Sequence, residues 1–250
     1  MYPAIPGKGL RTTAPLLSSA AMDVAILIPA LNEEACLPGV LAAIPESLSA
    51  RVIVVDNGST DATSEVALAA GAVVLREPSR GYGSACMRGI SWLREQSSAP
   101  DALVILDADH ADDPAGIPAL VALLTNEAAD LVLTTRTQGT AEPGSLSAIQ
   151  YWGNRLQTAA INRRFGLSLT DMGPLRAIAW GPLLTLSMED ETWGWNVEMA
   201  CKAARAGLRI VEVPVPYRCR PHGESKISGS VRGAVRAGGR ILWALWRYAR

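Results

Sequence analysis

The sequence lacks every cysteine pairing that would suggest a metal ribbon or a redox motif. Its four cysteines, Cys36, Cys86, Cys201 and Cys219, form no CxxC pair, and no histidine stands near them at zinc spacing. Reduced thiols in a reducing compartment are the expectation. No apolar run approaches the ~18 residues that span a bilayer. The formal net charge of −1 excludes nucleic-acid binding driven by bulk charge. Internal repeats and low-complexity linkers are absent. The first apolar run leads into PALNEE rather than GxGxxG, which excludes a dinucleotide-binding dehydrogenase. An early GxGxR loop, the mark of nucleotidyltransferases, is also missing.

What is present is a regular alternation. Apolar runs at 24–28, 51–56, 72–77, 101–109 and 130–136 are separated by helical segments. Asn57-Gly58 reads as a turn, and Gly71 as a helix stop. Asn32 is placed to cap a helix that begins at Glu33 and Glu34, and Ser59 or Thr60 to cap the next one. Pro114 opens a further helix. This pattern predicts an α/β fold, a Rossmann-like, mostly parallel sheet with helices on both faces. In such sheets ligands bind beyond the carboxyl ends of the strands. The polar residues fall at those ends: Asn32 and Glu33, Asp56, then Asp107 and Asp109. Beyond about residue 140 the spacing predicts a helix from Ser147 to Phe165 closed by Gly166. It predicts another from Trp195 to Ala206 closed by Gly207, and a proline-interrupted edge strand in RIVEVPVPY.

Asp107 and Asp109 stand at i and i+2 as a strand runs out, so both carboxylates point to one side. Two such groups suit Mg²⁺ or Mn²⁺, with phosphate oxygens completing the shell. A solvated acidic loop would carry the same DxD. Asp112 and Asp113, just before Pro114, also favour a helix start.

The ordered series IPALNEE (28–34), VVDNGSTDAT (54–63), RGYGSACMRG (80–89), LDADHADDP (106–114), TTR (134–136), TDMGPLRA (170–177), GWNVEMACKAARAGLRIVEVPV (194–215) and RPHGESK (220–226) resembles family 2 glycosyltransferases of the GT-A fold. Within them it is most like the dolichyl- or polyprenyl-phosphate mannosyltransferase group. The resemblance covers residues 23 to about 230. It implies a nucleotide-sugar half at 22–136, an acceptor half at 137–227 and a tail at 228–250. Pro29, Ala30, Asn32, Glu33, Asp56 and Gly58 would cradle the base and ribose. Gly81 and Gly83 would let backbone approach the nucleotide. Asp107 and Asp109 would hold the metal. Arg220, His222, Ser225 and Lys226 would clamp the diphosphate. Arg136, Arg155, Asp171 and Arg176 would form the acceptor site. Glu198, Asp171 or Glu191 would serve as base if the acceptor is a hydroxyl; a phosphate acceptor needs none. Departures stand out: Asn57 replaces a second Asp, Ala111 replaces a Gln that contacts the metal, and before Arg176 Leu175 replaces an aromatic and Pro174 a more flexible residue. His110, Asp112, Asp113 or water would take over from that Gln. Trp193 and Trp195 would line a sugar or lipid site, or lie in the core.

The expected activity is an inverting, metal-dependent transfer of a hexose from a UDP- or GDP-sugar to a polyprenyl phosphate at the cytoplasmic membrane face. The same donor with a soluble or non-phosphate acceptor, or a non-catalytic nucleotide-sugar-binding protein, are the alternatives. Residues 1–21 read as a disordered leader, with Met22, a second possible start, directly before the first strand. The C-terminal stretch is basic and amphipathic. Arg232, Arg236, Arg240, Arg247 and Arg250 fall within about 80° of one another at about 100° per residue. Tryptophans border that stripe, the composition of a helix lying in a membrane interface. As a membrane-surface helix it is expected to be separable from the domain; the alternative is a helix packed on the domain with its basic face solvated.

Overall fold

A computed structural model describes residues 22–222 and 231–249, with the side chains of 231–237 left aside. The leader (1–21), Ser225, Lys226 and Arg250, and the side chains of Arg232 and Arg236, lie outside the described residues. The described strands form one seven-stranded sheet: β1 (Val24–Ala30), β2 (Arg51–Asp56), β3 (Val73–Arg76), β4 (Ala102–Ile105), β5 (Leu131–Thr135), β6 (Arg176–Ala179) and β7 (Ile210–Pro214). Their order is β3-β2-β1-β4-β6-β5-β7. All neighbours run parallel except where β6 pairs antiparallel with β4 and with β5. The mostly parallel α/β sheet predicted from the alternation is present, and β7 is its edge strand. The short strand β6 has no counterpart in the expected alternation. Its four residues arrive from far along the chain and slot between two strands that are neighbours in sequence order.

The central strands are buried on both faces, as their unbroken apolar runs require. One core lies under each face. The first gathers Leu27, Ile53, Leu103, Ile105 and Leu133 against α3 (Tyr82–Arg94), α5 (Ala148–Phe165) and α7 (Trp195–Arg205). The second packs Ile26, Val54 and Val104 against α1 (Leu37–Ala43), α2 (Thr63–Ala69) and α4 (Ile117–Thr125). Between β6 and α7 runs a short helix, α6 (Trp180–Thr185). The predicted boundaries of α5 hold for a local reason. Ser147 and Gln150 form a reciprocal capping box at its start, and Gly166 closes it at φ 69°. Gly207 closes α7 in the same way at φ 70°.

Two predicted caps do not form. Asn32 adopts φ 50° in a loop, and α1 starts later, at Leu37. Neither Ser59 nor Thr60 caps α2, which starts at Thr63; the Asp61 carboxylate accepts from the Thr63 N–H at 3.1 Å instead.

The C-terminal helix α8 (Val231–Tyr248) is no detachable tail. It packs on α7 and α5 and buries Ala244, Leu245 and Tyr248 in the first core. Two of the striped arginines are tied to the 189–192 loop: Arg240 donates to Thr192 Oγ1 at 2.8 Å, and the exposed Arg247 pairs with Glu189 at 3.0 Å. Leu242 and Trp246 point out, 54 % and 59 % exposed. Removing residues 231–249 should therefore lower the melting temperature by several degrees and expose the flank of α7. A thermal unfolding curve matching that of the full chain would contradict this placement.

Candidate active site

The ends of β1 and β2 are zipped together by side chains. The Asn32 N–H donates to Ser59 Oγ at 2.9 Å, and Asn32 Oδ1 accepts from the Thr60 N–H at 2.8 Å. The Glu33 N–H donates to Thr63 Oγ1 at 2.9 Å. Pro29 and Ala30 sit opposite Val55 and Asp56 in the sheet. Asp56 is buried and accepts from the Ser59 N–H and the Ser64 hydroxyl, each at 2.7 Å. Burial by itself would raise its pKa. The hydrogen bonds from Ser64 and Ser59 outweigh burial and hold it below the usual carboxylate range. Both Asp56 oxygens thus brace their own loop. Gly58 turns at φ 85°, and its carbonyl accepts from Arg80 at 2.8 Å.

The Asn57 departure has a structural reason. Its amide donates to the carbonyls of Glu77 and Ser79 and accepts from the Gly81 N–H, at 3.1, 2.7 and 2.8 Å. A carboxylate could not donate to those two carbonyls. The glycines of RGYG also find another role. A Cβ on Gly81 or Gly83 would lie 2.0 or 1.8 Å from the carbonyl oxygens of Glu191 and Asp190. They admit the 190–191 backbone against the start of α3, a contact the sequence reading assigned to the nucleotide.

β4 stops at Ile105, so Asp107 and Asp109 stand on the turn beyond it. Asp109 is buried; its Oδ1 accepts from the Ala111 N–H at 3.0 Å, and its Oδ2 pairs with Arg220. Arg220 also reaches to 4.0 Å from Glu33. The arm expected to clamp a diphosphate therefore lies directly on the DxD carboxylates. Asp107 Oδ1 is buried without a hydrogen-bond partner. Burial, then the Asp109 carboxylate, push Asp107 up to about 6. Among the described residues no third acid, histidine or cysteine joins these two in a metal cluster. Two hard oxygen donors, one of them unpartnered, fit Mg²⁺ or Mn²⁺, which bind few protein groups and complete their shell with phosphate and water.

Of the side chains near Ala111, His110 and Asp113 are turned or engaged elsewhere. His110, at φ 60°, turns its ring toward Gly39, where a Cβ would lie 2.7 Å from Nδ1. Asp113 accepts from the Ala115 N–H at 3.1 Å and pairs with Arg218 at 2.7 Å, the helix-start role. Asp112 is buried with both oxygens unpartnered, and burial holds it well above the carboxylate range.

The acceptor half differs most from expectation. Arg136 and Asp171 form a buried two-pronged pair, Nε to Oδ2 at 2.7 Å and Nη2 to Oδ1 at 2.8 Å. Arg136 also lies over the Tyr217 ring, 5.1 Å from its centre. Arg176 is 0 % exposed, with Nη2 donating to the Gly173 carbonyl at 2.6 Å. Arg155 lies exposed on α5 over the Tyr151 ring, 5.9 Å from its centre. These four residues therefore form no single open site. Glu198 is no available base either. It is 0 % exposed and accepts from the Glu189 and Asp190 N–H groups and from Lys202, at 2.8, 2.7 and 2.6 Å. It fixes the 189–191 loop against α3. Glu191 keeps its side chain exposed. Trp195 is core, whereas Trp193 lines a surface hollow with Trp243. The sequence reading missed Glu212 on β7, which accepts from the Thr170 and Asp171 N–H groups at 3.0 and 2.9 Å. Tyr82, between the two glycines of RGYG, packs against the first core, a place that no local pattern signals.

Comparison with known proteins agrees with this geometry. Residues 25–179 match the family model described as Glycosyl transferase family 2. The chain is 38 % identical over 217 residues to an uncharacterized glycosyltransferase of Mycobacterium tuberculosis, covering 85 % of this chain and 93 % of that one. It is 34 % identical over 230 residues to the undecaprenyl-phosphate mannosyltransferase of Micrococcus luteus, covering 85 % and 90 %. Among solved structures it is similar to glucosyl-3-phosphoglycerate synthase from Mycobacterium tuberculosis, in complex with Mn²⁺, uridine-diphosphate-glucose and phosphoglyceric acid. That similarity has a TM-score of 0.71 and 25 % identity, over 91 % of this chain and 80 % of the other.

Proposed function

The chain belongs to glycosyl transferase family 2, and from that premise we propose that it moves a hexose from a UDP- or GDP-sugar to a polyprenyl phosphate, with inversion, at the cytoplasmic face of a membrane. The observation that carries the donor chemistry is the Asp107–Asp109 pair beyond β4, with Arg220 lying on Asp109. A divalent cation held by the two carboxylates would offset the charge that develops on the departing diphosphate. Arg220 would turn from Asp109 to that diphosphate, and Ser225 and Lys226 would join the same clamp. The β1 and β2 loops, from Pro29 to Glu33 and from Asp56 to Gly58, would seat the nucleoside.

The state of the carboxylates supports a phosphate acceptor. Asp171 and Glu198, two of the three candidate bases, are buried and fully engaged. A phosphate acceptor is already ionised and requires no strong base. Beside Arg220 a hollow of about 200 Å³ is lined by Ser145, Ser147, Gln150 and Arg218. Its guanidinium and hydroxyl groups suit a phosphate better than the buried Arg136 and Arg176 do. The undecaprenyl-phosphate mannosyltransferase of Micrococcus luteus supports the lipid acceptor. Peripheral membrane contact is supported by two mutually packed helices with outward apolar side chains. These are Ile149, Trp152 and Leu156 on α5, and Leu242 and Trp246 on α8. No helix of the described residues is long and apolar enough to cross a membrane.

The test is a transfer screen with UDP- and GDP-hexoses, Mg²⁺ or Mn²⁺, and either undecaprenyl phosphate or phosphoglyceric acid. Nucleotide release stimulated by the lipid phosphate is the expected result. Stimulation by phosphoglyceric acid alone would overturn the lipid acceptor and keep the donor. No release with any donor would overturn the transfer reading.

A further inference from the structure

Most of the buried, unpartnered side-chain atoms among the described residues concentrate behind the DxD turn: the Tyr82 hydroxyl, Asp107 Oδ1, both Asp112 oxygens and Arg176 Nη1. Three separate elements bring them there. Asp107 follows β4. Arg176 on β6 pairs across the sheet with Ile105, two residues before Asp107, and its buried guanidinium bears on the Asp107 charge. Tyr82 opens α3.

Tyr82 is held unusually firmly. Gly81 and Gly83 on either side of it both receive the 190–191 backbone, so close that a Cβ at either position would collide with a carbonyl oxygen. The Ser84 N–H then bonds the Glu191 carbonyl at 3.0 Å. The loop that clamps this turn is itself fixed by Glu198. Neither the Tyr82 hydroxyl nor Asp107 Oδ1 has a partner within ordinary hydrogen-bond geometry, yet each lies close enough to weigh on the other's charge. A buried donor facing a buried acceptor is costly unless a small shift or a bridging water joins them.

We propose that Tyr82 is a positioning residue: its hydroxyl holds the Asp107 carboxylate, directly or through one water, in the orientation that binds the divalent cation. Arg176, anchored by the carbonyls of Pro174 and Gly173, supplies the buried positive charge beside it. This rests on the reading of Asp107 and Asp109 as metal ligands. Groups that orient metal ligands typically cost about 10- to 100-fold in metal affinity when removed.

The test is Tyr82→Phe in the full chain. Mn²⁺ is titrated with UDP present, then with GDP, and free Mn²⁺ is read by electron paramagnetic resonance, alongside thermal unfolding. The expected result is Mn²⁺ binding weakened by roughly 10-fold or more, with the fold kept, because phenylalanine retains the ring and only the hydroxyl that holds Asp107 is lost. A residue that merely packs would leave Mn²⁺ affinity unchanged, because phenylalanine fills the same space, and that result overturns the proposal. If the unsubstituted protein binds no Mn²⁺ with either nucleotide, the metal reading fails, and this proposal fails with it.

Discussion

Asp109→Asn is expected to lower sugar transfer by about 10²- to 10³-fold while leaving the fold in place. Asparagine is the informative substitution. Asp109 Oδ1 accepts from the Ala111 N–H at 3.0 Å and so shapes the turn. An amide oxygen can keep that bond, so the backbone is preserved and only the charge is lost. The loss is felt twice. The carboxylate no longer offers a cation its charged oxygen, and Arg220 loses the ion pair that brings its segment onto the site. The site has little redundancy, because Ala111 offers no side-chain oxygen and Asp113 is committed to Arg218 and the helix start. The measurement is turnover against Mn²⁺ concentration, with melting temperature as the control. Turnover within about threefold of the unsubstituted protein would remove Asp109 from the metal site.

What the sequence revealed and what it concealed divides along a physical line. Strands buried on both faces announce themselves as unbroken apolar runs, and β1, β2 and β4 were visible in this way. Helix ends are local chemistry, so Ser147 and Gly166 placed α5 almost to the residue. The DxD pair could be located because it follows such a strand. Side-chain partners, in contrast, are chosen by tertiary neighbours. Arg136 can be read as a free guanidinium until the chain brings Asp171 to it from 35 residues away. β6 is only four residues long, and its identity depends on the gap between β4 and β5. Gly81 and Gly83 were recognised as sites of close approach. Nothing local shows that what approaches is the 190–191 backbone. The arginine stripe of α8 was correctly seen as a stripe, yet the acids at 189 and 190 that face part of it lie far back in the sequence.

Asp171→Asn is expected to cost about 3–5 kcal/mol of stability, because it breaks a buried charge pair from one side. Asp171 is 0 % exposed and accepts from four N–H groups: the Arg136 backbone, Arg136 Nε and Nη2, and the Met172 backbone, at 2.8, 2.7, 2.8 and 2.8 Å. An asparagine must turn its NH₂ toward one set of those donors, leaving donor against donor. The Arg136 guanidinium meanwhile stays buried. Burial on its own would lower the pKa of Arg136, and the Asp171 hydrogen bonds more than reverse that, which shows how much the cation depends on this partner. Glu212 fixes the backbone at Thr170 and Asp171, so the loop cannot easily swing away to relieve the strain. For a chain of this size the loss corresponds to a fall in melting temperature of roughly 10 °C. Thermal or urea unfolding checks this, and transfer assayed well below the melting point separates the two roles the pair has been given. If the pair is structural, the folded variant keeps its KM for the acceptor. If the melting temperature holds while the acceptor KM rises, Arg136 and Asp171 are an acceptor site after all, and the hollow beside Arg218 and Arg220 is not where the phosphate binds.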